Sequence, residues 1–190
     1  LTGAATGLTT LNVTGASAIN GGTVSSTGTQ DYAGAVSLGA NASITASTAD
    51  FGSTVAGLFD LDITGNASFD GIVGGSNAPT SLSVSGTSGI SANITTSGAQ
   101  AFSSNATLSA DVTLTGTNVT FGSLLDSDGT ARDLTIAATG TTTFNGAVGG
   151  SSNLDILTAN NGGTTAINTS AINAAVIDID DVALIDTNTT

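Results

Sequence analysis

The side chains in this chain that could do acid or base chemistry are aspartates and one arginine, because the sequence holds no His, Cys, Lys, Glu, Trp or Met. A nucleophilic serine needs a histidine or lysine to take its proton, and a thiolate or soft-metal site needs Cys or His. What remains is a pair of carboxylates of the kind that hydrolyses glycosidic bonds. The spacing offers three sets: Asp60/Asp62, Asp126/Asp128 and Asp178/Asp180/Asp181.

Their immediate context speaks against convergence. Asp60 and Asp62 flank Leu61, and Asp178 and Asp180 flank Ile179. Residues two apart in a strand share a face, so both pairs read as solvated side chains opposite a buried aliphatic. Leu125-Asp126-Ser127-Asp128-Gly129 has the start of a calcium loop without the later carboxylates that complete one. It reads as a solvated loop with, at most, weak Ca²⁺ binding. The nonapeptide Gly-Gly-x-Gly-x-Asp that builds calcium rolls is absent from the sequence. The expectation is a protein that is not an enzyme, with no catalytic, cofactor-binding or metal residues.

The formal charge of −13, with Arg132 as the one cation, argues against nucleic acid and anionic membrane as partners. No stretch of 18 apolar residues is present, so no helical membrane span is encoded, and membrane insertion is not expected. With no cysteine, stability cannot come from disulfides, which suits a protein exported unfolded and folded outside the cell.

Stepping from side chains to the elements that carry them, the dominant feature is repetition. Residues 11–81 recur with drift as 82–156, and a partial third copy covers 157–190. Gln30/Tyr32 returns as Gln100/Phe102, Phe51-Gly52-Ser53 as Phe121-Gly122-Ser123, and Val73-Gly74-Gly75 as Val148-Gly149-Gly150. Within each long repeat, large apolar residues recur in pairs six apart: Val13/Ile19, Leu38/Ile44, Ile63/Phe69, Val84/Ile90 and Leu108/Leu114. Successive pairs are spaced by about 24 residues.

Runs such as Leu11-Asn12-Val13, Leu61-Asp62-Ile63 and Leu134-Thr135-Ile136 alternate apolar and polar residues, the period of a half-buried strand. The 26 glycines oppose long helices, and Asn20-Gly21, Asn145-Gly146 and Asn161-Gly162 signal turns. Ser170–Ile177 has the composition for a helix but is read as strand. The expected fold is all-β: a parallel β-helix, or β-solenoid, with three short strands per rung of about 24 residues and seven to eight rungs. Val13, Leu38, Ile63, Val84, Leu108 and Ile136 should then share one interior column. Phe51, Phe69, Phe121 and Phe144 should fill corners, with Tyr32 and Phe102 in a longer connection. Residues 1–190 read as a single solenoid segment of a longer chain.

The blocks Thr141-Thr-Thr-Phe-Asn-Gly-Ala-Val-Gly-Gly150, Val112-Thr-Leu-Thr-Gly-Thr-Asn-Val-Thr-Phe-Gly122 and Gly98-Ala-Gln-Ala-Phe102 resemble repeats of cysteine-free bacterial surface proteins. These are the proteins related to filamentous haemagglutinins and autotransporter passenger domains. The resemblance implies a right-handed parallel β-helix, export across the outer membrane, and roles in adhesion, aggregation, biofilm or surface coating.

Eight Asn-x-Ser/Thr sequons, at Asn12, Asn41, Asn66, Asn93, Asn105, Asn118, Asn168 and Asn188, add glycosylation as a host-dependent reading. The functional expectation is an extracellular structural or adhesive fibre module, either a rigid stalk or a filament-forming unit. Its partners would be copies of itself, neighbouring repeats, or host and surface glycans. The alternatives are a flat-faced ice- or glycan-binding solenoid, suggested by Thr113-x-Thr115 and Thr141-x-Thr143, and a polysaccharide-active β-helix enzyme.

Overall fold

A computed structural model describes residues 2–186. Alternating strands with one apolar edge must bury that edge, and here they do so by winding. Among the described residues there are 23 strands and no helix. All their pairings are parallel, and they form a β-solenoid of about ten turns. The interior holds three walls, called here the first, second and third faces. The first face runs through ten strands, from Ala5–Leu8 to Val182–Ile185. The second starts at Leu11–Val13 and the third at Ser17–Ile19. At about 4.8 Å per rung, ten rungs make a rod about 45 Å long.

The turn is shorter than the sequence reading expects. Cα partners lie 19 residues apart in Ala5↔Val24, Leu11↔Gln30 and Ser17↔Val36, with extremes of 18 at Leu82↔Gln100 and 24 at Val148↔Ile172. The chain therefore makes about ten rungs of about 19 residues, not seven to eight of about 24. The six-residue pairs are real but have another meaning: Val13 to Ile19 is the step from one face to the next. A spacing of 24 or 25 residues is then one full turn plus one face. Val13 and Leu108 consequently lie on the second face, Leu38 and Ile136 on the third, and Ile63 and Val84 on the first. The actual first-face column is Val24, Ile44, Ile63, Val84, Phe102, Phe121 and Phe144.

The same arithmetic governs the long repeat. Gln30-Asp31-Tyr32 sits on the second face, while its counterpart Gln100-Ala101-Phe102 sits on the first. Ile44 moves from the first face to the third as Leu114, and Val55 from the third to the second as Leu125. One long repeat advances three turns and two faces, so each copy is rotated about the axis relative to the one before.

Six of the seven aromatic residues fill columns, not corners or connections; the seventh, Phe59, lies in the connection between Val55–Ala56 and Leu61–Phe69, partly buried against the core. Tyr32, Phe51 and Phe69 stack along the second face with ring centroids 5.3 and 5.5 Å apart. Phe102, Phe121 and Phe144 do the same on the first face at 5.4 and 5.6 Å. All six are fully buried, Tyr32 and Phe102 included. Each stacked pair contributes about 0.5–1.5 kcal/mol beyond its area burial.

Two strands, Ala42–Phe51 and Leu61–Phe69, run unbroken around the corner from first to second face. In the latter the corner is Gly65, with φ +123, where a Cβ would run into the Ala46 carbonyl of the previous rung. Of the segment read as strand at Ser170–Ile177, only residues 174–177 are strand, as the first part of Ala174–Ile179, and Ile172 makes a single bridge to Val148.

Candidate functional site

The three carboxylate sets are each consumed locally. Asp60 and Asp62 face outward beside the buried Leu61 and Ile63, as the alternation requires. Their Oδ1 atoms accept hydrogen bonds from the next rung, from Ser81 Oγ at 2.8 Å and Ser83 Oγ at 2.6 Å. Asp178 and Asp180 are exposed. Asp181, next to them in sequence, is instead buried. Its Oδ1 accepts the Asn161 and Gly163 amides, both at 3.1 Å, and its Oδ2 accepts the Thr165 hydroxyl at 3.2 Å.

The Asp126–Gly129 segment departs from the solvated loop that its composition suggests. Leu125–Ser127 is a second-face strand, and Asp126 is buried with Oδ1 receiving the Ser151 and Ser152 amides at 3.1 and 3.3 Å. Asp128 turns away to Arg132, which donates through Nε at 3.1 Å and a terminal nitrogen at 2.9 Å. The Arg132 hydrogen bonds, helped by the Thr130 amide, hold the Asp128 carboxyl below its usual range. The two aspartates thus serve different partners. Among the described residues no three acidic side chains are placed to hold a metal ion, and the surface forms no pocket.

One carboxylate cluster escaped the sequence reading. Asp31 and Asp50 are Cα partners on adjacent rungs of the second face, and Asp50 pairs next with Ser68, whose hydroxyl donates to Asp70 at 3.3 Å. Burial first, then the charges of Asp70 and Asp31, push the Asp50 carboxyl up from its ordinary value. The separation of 19 residues between Asp31 and Asp50 is the signal that would have revealed the cluster, had the turn length been known.

Polar residues inside and at the corners brace the rod. Gln30 Nε2 donates to Val24 O at 3.3 Å, Ser26 Oγ at 3.2 Å and Thr45 O at 2.9 Å, and Gln30 Oε1 accepts the Tyr32 hydroxyl at 2.8 Å. Gln100 repeats the first three bonds with Ile94 O, Thr96 Oγ1 and Thr115 O. With Phe102 in place of tyrosine, its buried Oε1 has no partner. The shared pattern is apolar-x-Ser/Thr-x-Gly-x-Gln-x-Tyr/Phe, starting at Val24 and at Ile94.

Four of the eight sequons have a structural origin. In Asn41-Ala42-Ser43, Asn66-Ala67-Ser68, Asn93-Ile94-Thr95 and Asn118-Val119-Thr120, the asparagine sits at a corner, the middle residue points inward and the hydroxyl points out. Each asparagine Oδ1 accepts an amide from the next rung: Asp60 at 3.2 Å, Thr87 at 2.9 Å, Thr113 at 2.8 Å and Thr141 at 2.7 Å. Asp111 and Asp133 use the same position, accepting the Asp133 and Ile156 amides. Asn188 lies outside the described residues.

The outward threonines do not form one uninterrupted ladder. Thr113-x-Thr115 belongs to the third face and Thr141-x-Thr143 to the first. On the first face the hydroxyl pairs Thr23-x-Ser25 and Ser43-x-Thr45 are followed by Asp62, then Ser83, then Ala101. No protein-family profile, no curated protein and no solved structure matches this chain.

Proposed function

We propose that this chain is a rigid, non-catalytic module of an extracellular bacterial fibre, holding other parts at a distance or forming the filament itself. The observation that supports the reading most is the rotation of the long repeat. What recurs between copies is interior: the glutamine brace and the aromatic ladder. The lateral surface is moved to a different face each time, so repetition strengthens the rod without building one continuous binding face. Parallel strands along the whole axis resist bending and extraction through backbone hydrogen bonds alone. The absence of cysteine and the charge of −13 accord with a soluble exterior and folding after export.

A flat-faced binding solenoid is the second reading, favoured by short runs of outward hydroxyls: Ser25, Thr45 and Thr64 on the first face and Thr113, Thr135 and Thr158 on the third. Single-molecule pulling on tandem copies, run beside ice-shaping and glycan-binding assays, separates the two. The fibre reading expects stepwise rupture of rods and no binding in either assay. Binding abolished by Thr45→Lys with Thr64→Lys, in a protein that still folds, would overturn it.

A further inference from the structure

We infer that the loop after Val73 is a binding site for a small aliphatic monocarboxylate, which supplies there the carboxyl group that Asp126 supplies in the second long repeat. The inference goes beyond the fibre reading and does not depend on it. The two copies of this corner match in three backbone hydrogen bonds. In the first, Val55 N donates to Ile72 O, Gly74 N to Val55 O and Gly57 N to Asn77 O, at 3.0, 2.8 and 2.9 Å. In the second, Leu125 N donates to Ala147 O, Gly149 N to Leu125 O and Ser127 N to Ser152 O, at 2.9, 2.7 and 3.1 Å. Gly74 and Gly149 both turn the chain at positive φ, +79 and +65. A Cβ on either would stand 3.1 Å from the Cα four residues on, Ala78 or Asn153. The loops therefore share one backbone shape. Ala56 stands in the place of Asp126, and the Ser76 and Asn77 amides in the places of those of Ser151 and Ser152.

The second copy shows what this shape binds. Asp126 Oδ1 accepts both the Ser151 and the Ser152 amide, at 3.1 and 3.3 Å. Ala56 offers no acceptor, and among the described residues the Ser76 and Asn77 amides donate to no protein group. Successive amides converging on one point make a small anion site, and the internal repeat identifies the anion as a carboxylate.

Neighbouring replacements select the rest of the ligand. Leu58 takes the place of Asp128, and Ile72 that of Ala147. They are 66% and 46% exposed, the two exposed large apolar side chains among residues 2–175. Ile72 Cγ2 would lie 3.3 Å from a Cβ on Gly75, against the backbone that leads into Ser76. Leu58 follows Gly57, whose amide is tied to Asn77. Both therefore put apolar surface beside the amide pair. Residues 51–59 and 71–80, which build the site, contain no charged side chain, whereas the whole chain carries −13. That charge opposes a monoanion least and a polyanion, such as an acidic peptide or a polyuronate, most. The surface is open and forms no pocket among the described residues. Binding is accordingly weak, with a dissociation constant on the order of 1 mM.

The test is a titration of the intact, isotope-labelled chain with isovalerate, acetate and chloride at constant ionic strength and neutral pH, followed by amide chemical shifts. Isovalerate should move the Ser76 and Asn77 amide protons downfield in a saturable way. Acetate should do the same about threefold or more weakly, and chloride should not. The Ser151 and Ser152 amides, already held by Asp126, should stay where they are. Ala56→Asp should fill the first site from within, moving the Ser76 and Asn77 amides without ligand and abolishing the titration. Asp126→Ala should give the Ser151 and Ser152 amides the response to acetate that they lack in the intact chain. Circular dichroism confirms that each variant folds, and the titration of the intact chain decides the matter where one does not. Ser76 and Asn77 amides that ignore isovalerate would overturn the inference. A response to chloride as strong as that to acetate would overturn the carboxylate assignment, and equal affinity for acetate and isovalerate would overturn the part given to Leu58 and Ile72.

Discussion

Exchanging the hydroxyl between the two glutamine braces is the sharpest probe of the interior. Tyr32 donates to Gln30 Oε1 at 2.8 Å inside the rod, whereas Phe102 leaves Gln100 Oε1 buried and unpartnered. Tyr32→Phe should therefore convert the first brace into the second and cost about 1–3 kcal/mol, the penalty of a buried acceptor without a donor. Phe102→Tyr should recover about 0.5–1.5 kcal/mol by the reverse change. Tyr32 also carries a pH signature. Burial pushes its hydroxyl from 10.0 up to about 12. Because the folded value is the higher one, this stability is fully present below pH 10 and lost as pH rises through about 12. Two units correspond to about 3 kcal/mol. Urea unfolding of the wild type and both variants, at neutral pH and at steps above pH 10, measures all of this. Tyr32→Phe should be destabilised at neutral pH and show a flatter alkaline profile. A neutral Tyr32→Phe together with a strongly destabilised Phe102→Tyr would refute the equivalence of the two braces.

Other substitutions test the remaining parts of the account. Asp50→Asn should raise stability at neutral pH, because the folded carboxyl titrates above its unfolded value and the strain is present only when it is ionised. The advantage should vanish as the pH falls below the ordinary carboxylate range, which a pH series of melting temperatures detects. Gly65→Ala should cost at least about 2 kcal/mol, through its left-handed backbone and the close Ala46 carbonyl, read from the urea midpoint. Ile63→Asp buries a charge in the first-face column and should cost about 4 kcal/mol or more. Asp60→Asn keeps an acceptor for Ser81 Oγ and should be tolerated, so equal protease sensitivity of these two variants would contradict the inward and outward assignments.

Much of the fold is legible in the residues themselves. Alternation in Leu61-Asp62-Ile63 and Leu134-Thr135-Ile136 identifies strands with a buried edge, and both triplets pack as read. The turn length was hidden by the near-equality of the three faces. When each face takes about six residues, a motif returning after one turn plus one face looks the same as a motif returning after one turn. That ambiguity put Leu38 and Ile63 in one column and separated Asp31 from Asp50. It also disguised Tyr32 and Phe102, which sit two residues beyond a buried glutamine, a polar residue that sequence patterning alone places outside. The outward Asp62 was legible because its neighbours on both sides are aliphatic. Asp126 and Asp181 were not, since their amide donors come from another rung, 18 to 26 residues away along the chain.

The 19-residue coil is the claim on which the faces and the rotation of the repeat both depend. It is tested by disulfide formation in this cysteine-free chain. Ser43 and Asp62 are Cα partners on adjacent rungs, at the spacing of about 4.8 Å that a disulfide accepts. Ser37 lies 25 residues before Asp62 and on the third face. The account predicts that Ser43→Cys with Asp62→Cys oxidises readily without loss of stability, while Ser37→Cys with Asp62→Cys stays reduced. Ready bonding of the second pair and not the first would contradict it.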